Sequence, residues 1–136
     1  MFEEIIEKTT KWAVSEGLIE AAIIVGSYAR GTRKPDSDID LILITSNKQH
    51  YINNTSVFSF LGEIDCATIE QYGECTSVRV WYQAGFEVEY GMVSQKWIEV
   101  PLDIGTKEVL GNGYRVLLDK TDLLTHITSM IPEYRT

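Results

Sequence analysis

Residues 26–40 read Gly-Ser-Tyr-Ala-Arg-Gly-Thr-Arg-Lys-Pro-Asp-Ser-Asp-Ile-Asp. Asp38 and Asp40 lie one residue apart and open the apolar run Leu41-Ile42-Leu43-Ile44. On a strand, residues i and i+2 point to one face, with Cα atoms roughly 6.5 Å apart. Two carboxylates on such arms can converge on one magnesium ion, or on two ions about 3.5–4 Å apart. Magnesium takes hard oxygen ligands, commonly one or two carboxylates plus substrate phosphates. A carboxylate pair at the mouth of a buried strand is costly unless cations or donors satisfy it. Upstream, Gly26 and Ser27 close the apolar run Ala21–Val25. A strand that ends in Gly-Ser and turns into a short helix exposes backbone N–H groups to a phosphate, because glycine lets the backbone come close. Together these residues suit a triphosphate and its magnesium ions.

The elements that must position them follow from the pattern. Phe2, Ile5, Ile6, Trp12 and Ala13 repeat at helical spacing over 2–16, with Gly17 as the stop. Ala21–Val25 and Ile39–Ile44 are continuous apolar runs, short enough for buried strands. Residues 28–33 are expected to form one helical turn, and Pro35 to Ser37 carries turn chemistry, with Asp36 a turn residue. Residues 48–62 have a possible helix face in Tyr51, Ile52, Val57, Phe58 and Leu61. Cys66–Tyr72, Ser77–Gln83 and Phe86–Val93 read as strands, the last two joined by a tight hairpin at Ala84-Gly85. Val109–Leu118 is expected to be extended in part, and 120–131 to close as a helix. The fold class is α+β: one domain over residues 1–136, a mixed central sheet flanked by helices.

Bulk properties narrow the function classes. With 136 residues, 44% of them hydrophobic, the chain has room for one core. No apolar run reaches the ~18–20 residues that cross a bilayer, and the acidic, amphipathic start is not a secretory signal. Cytoplasm is the expected location, without a membrane partner. The net charge of -8 opposes a polyanion, so nucleic acid is not an expected partner. Cys66 and Cys75 are expected to be small half-buried thiols, and His50 and His126 are isolated, so no zinc set is present.

The string Gly-Ser-x-x-x-Gly, a five-residue gap, then Ser-Asp-Ile-Asp-Leu fills Gly26, Ser27, Gly31, Ser37, Asp38 and Asp40. It resembles the signature of the DNA polymerase β-like nucleotidyltransferase superfamily. Later segments (Glu87 to Val93, Trp97, Pro101 to Thr106, Gly113 to Lys120) resemble small bacterial nucleotidyltransferase-domain proteins related to aminoglycoside adenylyltransferases. The resemblance implies that the Gly26-Ser27 turn holds the nucleotide phosphates, that Asp38 and Asp40 bind two Mg2+ ions, and that a third carboxylate on a neighbouring strand completes the site. Glu87 and Glu89 share a face, so alternation does not choose between them. Family strands often read apolar–acid–aromatic here, as in Val88-Glu89-Tyr90, which makes Glu89 the first candidate and Glu87 the second. Most members carry Asp at this point, and Glu lengthens the reach by a methylene.

Arg30 is a candidate phosphate contact, with Arg33 and Lys34 behind it; Asp119 is expected to cap a helix, and Trp81, Tyr82 and Tyr90 to be structural. The implied activity moves a nucleoside monophosphate from a triphosphate, ATP being the superfamily's commonest choice, to a hydroxyl acceptor on a small molecule or protein. A homodimer or a helical protein partner would supply the acceptor surface. Two alternatives are a minimal antitoxin or regulatory module acting on a helical partner, and a degenerate domain that binds nucleotide without transferring it.

Overall fold

A computed structural model describes residues 2–31 and 38–134. Six strands make one mixed sheet: β1 (Ile19–Val25), β2 (Ile39–Thr45), β3 (Ile64–Tyr72), β4 (Cys75–Tyr82), β5 (Glu87–Val93) and β6 (Tyr114–Asp119), in the order β3-β4-β5-β2-β1-β6. β2 and β5 run parallel, and every other neighbouring pair is antiparallel. The α+β class expected from the sequence is the class found. No described helix is long and apolar enough to cross a membrane.

β1 and β2 are apolar at nearly every position because both sheet faces are covered there. On one face Ile39, Leu41 and Leu43 pack with Val88 and Tyr90 of β5 beneath α1 (Phe2–Ser15) and a 3-10 segment at Thr55–Leu61. The expected stripe of α1 lies in this layer, and Trp12 stacks on Phe60 with ring centroids 4.4 Å apart. On the other face Ile42, Ile44 and Val93 pack against Trp97, Ile98, Leu110 and Ile127. Those residues come from a 3-10 turn at Gln95–Ile98, from α4 (Ile104–Gly111) and from α5 (Thr125–Met130); the remaining helices are α2 (Gly26–Arg30) and α3 (Lys48–Asn53). The second layer covers the β2-β1-β6 side, while edge strand β3 stays largely exposed.

Tyr82 ties the first layer together. Its hydroxyl donates to the Phe58 carbonyl at 2.8 Å and lies 2.6 Å from the Tyr90 hydroxyl, both inside the core. Tyr82→Phe strips a partner from two buried polar groups at once and should cost about 1–3 kcal/mol. Urea unfolding checks this as a lower midpoint at unchanged slope.

Four expectations need correction. The helical turn after β1 starts earlier, at Gly26, and ends at Arg30. Val109 is helical, so the strand expected over Val109–Leu118 begins only at Tyr114. Asp103 caps α4 by accepting from the Gly105 N–H at 3.1 Å, and this cap outweighs the weak helix formers in Ile-Gly-Thr. The last helix is shorter than 120–131, because both Asp119 oxygens take the Leu123 and Leu124 N–H groups at 2.9 Å and hold a turn. Asp119, expected to cap a helix, instead holds the turn before α5, whose N-cap residue Leu124 makes no side-chain cap bond. Tyr82 and Tyr90 are core residues, as expected.

Candidate active site

Sheet register builds the site. Val25 lies opposite Asp40, Asp40 beside Glu89, and Glu89 opposite Arg79, one residue from each of four adjacent strands. The pairing of Ile39 with Val88 puts Asp38 and Glu87 one position earlier on the same two strand segments. Alternation then brings Asp38, Asp40, Glu87 and Glu89 onto one face as a two-by-two array. The register separates the two glutamates: Glu89 is the neighbour of Asp40, and Glu87 that of Asp38.

Arg79 is the residue that sequence reading missed. Its guanidinium reaches Asp38 at 3.3 Å and also pairs with Glu87 and Glu89. No local motif marks it. The signal was the hairpin itself: a turn centred on Ala84 sets position 79 opposite 89, as the backbone bond from Tyr82 N–H to Phe86 C=O shows.

The charges in this array do not balance. One guanidinium faces four carboxylates, and the pKa values respond. Burial, then the charges of Glu89 and Asp38, push Asp40 up to about 6 against the pull of Arg79. Asp38 is also raised, by burial first and then by the charge and hydrogen bond of Glu87. The Arg79 proton is held more tightly than usual, chiefly through its hydrogen bond to Glu87. Among the described residues no three Asp, Glu, His or Cys side chains gather closely enough to hold one ion in this conformation. Three of the acids reach for Arg79 instead. The donor set nonetheless fits magnesium: all hard oxygens, carrying negative charge that Arg79 alone does not neutralise.

Beside Asp40 the chain turns at Gly26, whose φ is +75°. A Cβ there would stand 2.7 Å from Asp40 Oδ2, so only glycine lets the turn lie against the carboxylate. Gly26 opens α2, and its N-cap residue, Val25, makes no side-chain cap bond. Ser27 lies in the first turn and is half-buried. Gly31, at φ +70°, closes α2 with its N–H on the Ser27 and Tyr28 carbonyls, and Arg115 Nε donates to the Ala29 carbonyl at 3.0 Å. Ser37, Arg33, Lys34, Pro35 and Asp36 lie outside the described residues, as does the side chain of Arg30.

A groove of about 710 Å³ runs from Gly26, Asp40 and Glu89 to Trp97, Thr106 and Val109. Asp38 and Glu87 do not line it. The Thr106 hydroxyl, buried in its wall, has no hydrogen-bond partner among the described residues. Gly91 opens the floor, since a Cβ there would meet Ile42 Cδ1 at 2.8 Å and Cys75 Sγ at 3.0 Å. Burial, then the Glu89 charge, push the Cys75 thiol up to about 11. Cys66, expected to be half-buried, is exposed because β3 is the sheet edge. At pH 8 Cys75 holds little thiolate, so maleimide should label Cys66 quickly and Cys75 at least about tenfold more slowly. Timed labelling with peptide mapping reads this, and raising the pH toward 10 should narrow the difference.

Residues 7–72 match the family model described as Polymerase beta, Nucleotidyltransferase. Among solved structures, an aminoglycoside 6-adenyltransferase from Bacillus subtilis superposes with a TM-score of 0.55 at 10% identity, over 70% of this chain and 35% of that one. The polymerase core of TRAMP, an RNA surveillance complex, gives 0.42 at 18% identity over 65% and 28%. A CCA-adding enzyme gives 0.42 at 12% over 71% and 21%. The chain thus spans about a third of the length of the adenyltransferase structure. No curated protein matches it by sequence. Residues 7–72 are thus similar to the nucleotidyltransferase family, and the chain shares its fold with the adenyltransferase structure.

Proposed function

We propose that the protein transfers a nucleoside monophosphate from a nucleoside triphosphate, ATP first among them, to a hydroxyl acceptor and releases pyrophosphate. One observation carries this reading: the register that sets Asp40 beside Glu89 also ends β1 in the Gly26 turn against the Asp40 carboxylate. Phosphate-binding backbone and cation-binding oxygens are then neighbours, as phosphoryl transfer requires.

Asp38, Asp40 and Glu89 would hold two divalent ions, which would supply Lewis acidity at the acceptor oxygen and neutralise charge on the departing pyrophosphate. Gly26 and Ser27 fix the β- and γ-phosphates through backbone N–H groups and the Ser27 hydroxyl, with Arg30 and Ser37 as further phosphate contacts. Glu89 lines the groove and takes the proton of the acceptor hydroxyl as the acceptor oxygen bonds the α-phosphorus. The bond from that phosphorus to the bridging oxygen breaks, and pyrophosphate leaves with the electron pair. The groove gives acceptor or nucleoside a surface beside these groups; a second copy or a helical partner protein would complete the acceptor side.

Thermal unfolding with each of the four ribonucleoside triphosphates, in magnesium and in chelator, tests the reading. Stabilisation by several degrees that needs both metal and triphosphate is expected, by mass action on the folded state. No shift with any triphosphate at millimolar magnesium would overturn it.

A further inference from the structure

Arg79 occupies the middle of the carboxylate array. Its guanidinium bridges Asp38, Glu87 and Glu89, from three separate positions on two adjacent strand segments, and no other described Lys or Arg pairs with these acids. Two of its three partners, Asp38 and Glu89, are residues that the proposed function gives to divalent ions. A carboxylate oxygen committed to a guanidinium hydrogen bond is a weaker ligand, and two cations crowded onto the same oxygens repel each other. The side chains accordingly do not gather around an ion in this conformation.

We propose that Arg79 is a positioning residue that acts as a tethered counter-cation, holding the array together without metal and giving up Asp38 and Glu89 when a divalent ion binds. Glu87 is its retained partner. It stands beside Asp38, away from the groove, and its hydrogen bond is the main hold on the Arg79 proton. The two glutamates thereby divide the work: Glu87 anchors the arginine and Glu89 exchanges it for metal. The protein therefore trades metal affinity for a site that stays assembled without metal. This inference rests on the proposed function, because it assigns the array to divalent cations.

The test is Mn2+ binding without nucleotide, followed through the electron paramagnetic resonance signal of the free ion, on wild type, Arg79→Gln and Arg79→Lys. Arg79→Gln should bind Mn2+ about tenfold more tightly than wild type, although its melting temperature without metal falls; saturating Mn2+ should restore much of that loss. Arg79→Lys keeps the charge without the fork and should lie between the two. Should Arg79→Gln not fold, Mg2+ titration of the wild type still decides, by following the Arg79 Nε–Hε resonance, assigned through its absence in Arg79→Lys. That resonance should move in step with the Asp40 and Glu89 amides. Equal or weaker Mn2+ affinity in folded Arg79→Gln, or an Arg79 resonance unmoved while those amides shift, overturns the exchange and leaves the metal site standing. Absence of Mn2+ binding to all three proteins overturns the exchange together with the proposed function.

Discussion

Asp40→Asn should remove metal-dependent nucleotide binding while making the metal-free protein more stable. Loss of an outer partner of a metal ligand typically weakens binding 10–100-fold, so loss of a direct ligand should weaken Mg2+-dependent ATP binding by at least about 100-fold. Transfer, once an acceptor is in hand, should fall by about 10³ or more. The stability change has the opposite sign. Asp40 rises from 3.8 to about 6 on folding, so the fold prefers its neutral form. Below pH 4 the carboxyl is protonated in folded and unfolded chains, and Asn offers little advantage. Above pH 6 it is ionised in both, and only the folded chain carries the cost of crowding that charge among other acids. At about 1.4 kcal/mol per unit, discounted for the part of the group that stays in water, Asn should gain about 2 kcal/mol at pH 7.5. The gain should fade as pH drops through 6 toward 4. Denaturant curves at pH 4.5 and 7.5 in chelator read it directly. A variant less stable than wild type at pH 7.5 would mean that Asp40 serves the fold and not a cation.

Gly26→Val should damage both fold and site. A β-branched residue at φ +75° is strained by about 1–2 kcal/mol, and its Cβ meets Asp40 Oδ2 at 2.7 Å. The carboxylate must swing away, which parts the phosphate turn from the acid beside it. We expect about 2–3 kcal/mol of lost stability and no melting shift with ATP and magnesium. Gly111→Ala is the control: a Cβ there meets nothing within 4 Å, at the last residue of α4. It should be neutral or stabilise by up to about 1 kcal/mol, with nucleotide binding intact. Similar losses in both variants would remove the special place given to Gly26.

Local signals carried much of this architecture. The Ile39–Thr45 strand, the Gly-Ser turn and the Asp38/Asp40 pair were legible because each lies within a short run whose period or spacing is self-contained. Glu87 and Glu89 were not separable, since a period of two gives both the same face. Only the parallel pairing of β2 with β5, whose partners lie 49 positions apart in sequence, sets Glu89 beside Asp40. Arg79 was illegible for the same reason, as one residue in an alternating strand whose meaning comes from the strand across the hairpin. α4 was hidden by Gly105 and Thr106, although Asp103 carried the cap that starts it. Cys66 was misjudged because nothing local says that β3 is an edge.

The central claim is that a divalent cation and a triphosphate meet where Gly26, Asp38, Asp40 and Glu89 converge. Paramagnetic broadening tests it most directly and needs no acceptor. With a non-hydrolysable ATP analogue bound, substoichiometric Mn2+ should erase the amide resonances of residues 26–28, 38–40 and 87–89 while sparing α5 and the β3 edge. Broadening centred elsewhere, or spread evenly over the acidic surface, would contradict the account.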